Sequence, residues 1–191
     1  LRSSPADLVH AEVYLCMRVF LCRFASQHLT GFWPIILTEM VRILAQAKVD
    51  LPADKSDRLQ LVFSVVKLAD FLITLQTDDF QIHQWLLITD TPDATNPASS
   101  YMADSLLDCL AKFVSECQRE LVFDANDSLE RAQQRRPLLQ MSSVATISTL
   151  QPFFATASRA FYQCDFHATL DWDNINACLL HDLFEPIHTN T

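Results

Sequence analysis

Between Leu59 and Leu75 the chain is apolar at every position except Gln60, Ser64, Lys67, Asp70 and Thr74. Those five recur at spacings of three and four, so on a helix they form one narrow strip and leave the rest of the circumference apolar. The pattern predicts a helix from Arg58 to Gln76 at the centre of a domain. It does not predict a membrane span, because a charge at a bilayer centre costs ~3 kcal/mol or more and this run holds two. Lys67 and Asp70, three residues apart on the strip, are expected to pair with each other or with groups on neighbouring helices.

The other elements follow from the same periodicity. A first helix is expected from about Pro5 to His28, with Ser4 as N-cap and Gly31 as a left-handed C-cap. At 100° per residue Val13, Tyr14, Met17, Phe20, Leu21 and Phe24 share one face. A second stripe of Leu8, Leu15, Val19 and Cys22 lies elsewhere on the same helix. One apolar face is the norm for a peripheral helix, so the second stripe implies a further surface to cover. A second helix is predicted from Trp33-Pro34 to Lys48, followed by a polar link over 50–57. Asp78-Asp79 opens a short helix, Phe80 to Ile88, and Thr89 to Ser100 reads as a loop. Helices follow over Met102–Phe123, over Leu138–Tyr162 with a break near Pro152, and over Asn174–Phe184 with Asp171 or Asp173 as cap. Trp33, Trp85 and Trp172 lie in or beside these helices and are expected in the core.

Composition supports this reading. Among 191 residues there is one glycine. Tight hairpins and phosphate-cradling loops need that residue, so a β-sandwich, a P-loop and a dinucleotide fold are all disfavoured. Half the residues are apolar, which argues against disorder. The fold expected is all-α: a single helical domain over 1–191, of about six to eight helices, arranged as an orthogonal bundle or a helical repeat. The start at Leu1, with no basic segment and apolar stretch after it, is expected to mark a piece of a larger protein without a signal peptide. Six cysteines without a CxxC pair are expected to be free thiols.

Charge narrows the partners. The net charge is −9, and residues 78–130 carry eleven acidic against two basic side chains. Phosphate backbones and anionic lipids repel such a surface, so nucleic acid is excluded as a partner and membrane contact is expected to be indirect. Arg131, Arg135 and Arg136 form one basic cluster, read as the complement of a helix end.

Catalytic and metal motifs are missing. There is no HExxH, GxSxG, GxGxxG or P-loop pattern among these residues. Asp171-Trp-Asp173-Asn starts like a calcium loop but places Ile175 and Asn176 where an oxygen ligand and a glycine belong. No catalytic residue, metal ligand or cofactor is expected. Leu61, Leu68, Leu75 and Ile82 fall at heptad spacing, which fits a zipper seam or a broad core stripe. The candidate surface for a second copy or a partner is therefore Leu8, Leu15, Val19 and Cys22 on the first helix, with Leu61, Leu68 and Leu75 on the third.

Three blocks resemble the C-terminal region of the Dopey family of trafficking proteins: QHLTGFWPIILTEMVRILAQ at 27–46, VVKLADFLITLQTDDFQIHQWLLI at 65–88 and ISTLQPFFATASRAFYQ at 147–163. The resemblance spans about residues 10–187. It implies a cytoplasmic, peripheral protein on the cytosolic face of the Golgi, trans-Golgi network and endosomes, engaged in endosome-to-Golgi retrieval. It also implies a large partner scaffold related to Arf exchange factors, a functional link to a phospholipid flippase, and self-association through leucine-zipper-like helices. No catalytic residue or cofactor is implied. The resulting expectation is a non-enzymatic interaction and homodimerisation domain. The alternative is a helical lipid-binding or membrane-recruitment module that shelters an acyl chain.

Overall fold

In a computed structural model the describable residues are 5–75, 80, 82, 106–117, 141, 143–154, 157 and 171–184. Among them the chain is helical and holds no strand, as expected. The α-helices are α1 (Pro5–Arg23), α2 (Trp33–Val49), α3 (Asp57–Leu75), α4 (Leu106–Cys117) and α5 (Trp172–Phe184). Tight 3-10 turns occur at Ser26–His28, Thr30–Phe32 and Ile147–Leu150.

The start of α3 is locally encoded. The Leu59 backbone N–H donates to Ser56 Oγ at 3.1 Å, which satisfies one of the orphan donors of the first turn. Asp57 adds negative charge at the positive helix end. From Leu59 to Ile73 every residue is buried, including Gln60, Ser64, Lys67 and Asp70 of the polar strip. α1 lies along one side of α3, and α2 packs against both α3 and α4. Trp33, Leu37, Met40 and Leu44 of α2 enter the same core as Val62, Val66 and Leu72 of α3. Burying each such side chain contributes roughly 1.5–3 kcal/mol.

Five expectations are corrected. α1 ends at Arg23 rather than near His28, and two 3-10 turns carry the chain to α2. Gly31 lies in the second of these, without a left-handed φ, so it is not a C-cap. The residue that does adopt positive φ among those described is Lys55, at 55°, where its N–H donates to Ala145 O at 3.0 Å. The predicted helix from Leu138 is not helical at 141 and 143–146; helical geometry begins at Ile147. Pro152 sits in the first turn of the helical stretch 151–154 and does not interrupt it, because its fixed φ suits that position. Trp33 is in the core, whereas Trp172 opens α5 and is half exposed. Ser4, the helix expected at Phe80–Ile88 apart from Phe80 and Ile82, the loop 89–100, Trp85, residues 102–105 and 118–123, the stretch 124–136 with its three arginines, and residues 155, 156 and 158–162 lie outside the described residues.

Gly31 offers a direct check. A Cβ built there meets nothing within 4 Å. Gly31→Ala should therefore leave the fold intact and raise stability by about 0.4–1 kcal/mol through the unfolded state. Chemical denaturation measures this, and a loss of stability would show that the turn needs glycine.

Candidate functional site

The polar strip of α3 is occupied by partners from distant parts of the chain. Gln60 Nε2 donates to Val144 O at 2.8 Å. Lys67 Nζ donates to Met141 O at 2.6 Å and to Asp182 Oδ2 at 2.5 Å, and it lies 5.2 Å from the centre of the Phe63 ring. Arg18 of α1 donates to the same Asp182 oxygen at 2.6 Å. One carboxylate from α5 thus joins α1 to α3. All three side chains are buried, at 4% exposure for Arg18, 2% for Lys67 and 8% for Asp182. Lys67 pairs with a neighbouring helix, as the strip suggested. Burial and the nearby Arg18 guanidinium pull its ammonium below the ordinary lysine range, and the Asp182 bond opposes them.

Asp182 was not singled out in the sequence. A signal was available: Ile175, Cys178, Leu179 and Asp182 share one face of α5, so an acid stands on an otherwise apolar stripe. Arg18 gives the matching signal between Leu15 and Cys22. Ile175 and Leu179 bury against Phe71 of α3, with Val19, Cys22 and Leu75 packed around them. Arg23 adds an exposed bond to Asn176 Oδ1 at 3.3 Å.

This arrangement changes the candidate surface. Leu15, Leu61 and Leu68 are buried within the subunit and are not available to a second copy. Val19, Cys22 and Leu75 are half-buried beneath α5, and Leu8 is half-buried as well. The second stripe of α1 is thus the inward one, drawn in by Arg18 and covered by α3 and α5. The outward face of α1 holds Val9, Val13, Phe20 and Phe24, at 61%, 51%, 42% and 52% exposure, with exposed Cys16 among them. Helical projection places this row about 180° from Ala11, Arg18 and Cys22. The Phe20 and Phe24 rings stack edge to face at 5.3 Å. On α5, Leu180, Leu183 and Phe184 are also exposed.

A family model described as DOP1 C-terminal matches residues 1–166. The chain belongs to this Dopey family. It is 32% identical to Protein dop1 of Emericella nidulans over 109 residues, which cover 56% of this chain and 6% of that protein. Protein DOP1B of Mus musculus is 27% identical over 195 residues, covering 84% and 8%. Protein pad-1 of Caenorhabditis elegans is 30% identical over 129 residues, covering 61% and 5%. The chain thus spans less than a tenth of these Dopey relatives. No solved structure matches it. Among the described residues no group of His, Cys, Asp or Glu is placed to hold a metal, and no helix is long and apolar enough to cross a membrane.

Removing Asp182 strands two buried cations. Asp182→Ala should cost about 3–5 kcal/mol, whereas Lys67→Met, which keeps the Arg18–Asp182 pair, should cost clearly less. Equal costs for the two would show that Lys67, not the shared carboxylate, governs the cluster. Lys67 also sets a pH dependence. Below ~10.4 and above its lowered folded value, the unfolded chain holds a proton that the folded chain has released. The wild type should therefore gain stability relative to Lys67→Met as pH rises through that window. Thermal melts of both proteins across the alkaline range check the sign.

Proposed function

We propose that this is a non-enzymatic interaction domain of a Dopey-like trafficking protein and that it self-associates. The observation that carries the reading is the outward row of α1. A peripheral helix gains nothing by exposing two phenylalanines and two valines in line, and exposed apolar rows of this kind mark protein contacts. Family membership supports a place on the cytosolic face of Golgi and endosome membranes, beside a large scaffold related to Arf exchange factors and in functional connection with a phospholipid flippase. The net charge of −9 supports recruitment by protein partners over direct adhesion to anionic lipid.

Light scattering tests the reading. The 191-residue chain should show twice its mass of 21.7 kDa at micromolar concentration. A strict monomer at high micromolar concentration would remove self-association. Flotation with phosphoinositide-containing liposomes at physiological salt should leave the protein in the unbound fraction. Robust co-flotation would favour the lipid-binding module instead.

A further inference from the structure

We propose that α1 pairs face to face with α1 of a second copy of this chain, antiparallel, across a two-fold axis beside Cys16. The inference rests on the self-association reading and specifies its surface and geometry.

The spacing of the row calls for a helix as occupant. Val9, Val13, Cys16 and Phe20 step by four, three and four, which is the seam of a heptad repeat, and Phe24 extends it by one further turn. A seam of this period follows another helix along its length. The exposure of these residues shows that no described helix of the same subunit occupies it.

The order of residue sizes selects the antiparallel sense. Valines fill the N-terminal half of the row and phenylalanines the C-terminal half, with Cys16 midway between Val9 and Phe24. An antiparallel pair sets Val9 against Phe24 of the second copy and Val13 against Phe20, so small meets large along the whole seam. A parallel pair would set Phe against Phe at one end and Val against Val at the other, and the helices would splay.

Charge selects the same sense. Glu12 and Arg23 are both exposed and flank the row on the same side, near opposite ends of it. A two-fold axis perpendicular to antiparallel helices brings like flanks together with their ends reversed. Glu12 of each copy then meets Arg23 of the other, giving two complementary pairs. In a parallel dimer opposite flanks would meet, and Glu12 would face no arginine. Such rim charges set orientation more than affinity. Arg23 is already held on this flank by its bond to Asn176.

The area is adequate for a self-complementary contact. A standard interface takes about 800 Å² from each partner. Two half-exposed phenylalanines and two valines supply on the order of half of that. Exposed side chains beside the row on α1, Glu12, Cys16 and Arg23 among them, add to it. The same patch serves both copies, as a closed two-fold dimer requires.

The test combines thiol cross-linking with light scattering on the 191-residue chain. A short bismaleimide should give a covalent dimer whose linked peptide is Cys16 to Cys16. Cys16→Ser should abolish it and Cys22→Ser should not. Phe20→Asp should weaken the dimer by roughly 30-fold or more with helicity unchanged and a cooperative melt retained. Val13→Glu should act alike, and it serves if Phe20→Asp fails to fold. Glu12→Arg and Arg23→Glu should each weaken the dimer, and the double variant should recover it. A dimer that survives both outward substitutions and yields no Cys16 link would overturn this geometry while leaving self-association standing. A monomer at all concentrations would overturn both.

Discussion

Two buried cations share one carboxylate oxygen of Asp182, and the packing of α1, α3 and α5 depends on it. Taking three charged side chains out of water costs several kcal/mol per ion, which their attraction offsets only when geometry and hydrogen bonding are good. Here Lys67 also reaches Met141 O and lies near the Phe63 ring. The cluster nonetheless carries one more positive than negative charge, and burial presses Lys67 toward its neutral form. Such a node is poor as a source of stability and effective as a selector. A rotation of α1 or a slip of α5 by one residue would leave a guanidinium or an ammonium unpaired in the core.

The same node decides which side of α1 faces water. Because Arg18 must point to Asp182, Ala11, Tyr14 and Leu15 turn inward with it, and the row from Val9 to Phe24 turns outward. The exposed apolar row is thus a consequence of the interior. α1 has apolar residues on nearly every side, so hydrophobicity alone does not fix its orientation, and a single charge pair does.

Most helix bounds were legible because their signals are local. Pro34 opens α2, Ser56 caps α3, and Asp171 accepts from the Asn174 N–H at 3.0 Å to cap α5. The burial of α3 was legible from its narrow polar strip. The facing of α1 was not. Val13 and Tyr14 stand at opposite edges of one expected apolar face, yet one is half exposed and the other buried. What separates them is a partner 164 residues away. The non-helical backbone near Met141 and Val144 was equally hidden, since those carbonyls are claimed by Lys67 and Gln60, whose sequence gives no hint of the distance.

The strip on α3 also bears on how the chain is made. Its polar side chains find their partners 84 and 115 residues downstream. At synthesis rates of 5–20 residues per second, Lys67 is made roughly 6–23 s before Asp182. Throughout that interval α3 is an apolar helix with an unanswered charge, and its neighbours α1 and α2 cannot close over it in their final form. An all-helical domain usually folds through local contacts and does so quickly. This one takes its decisive contact from α5, so a nascent chain long past α3 is still without a finished core.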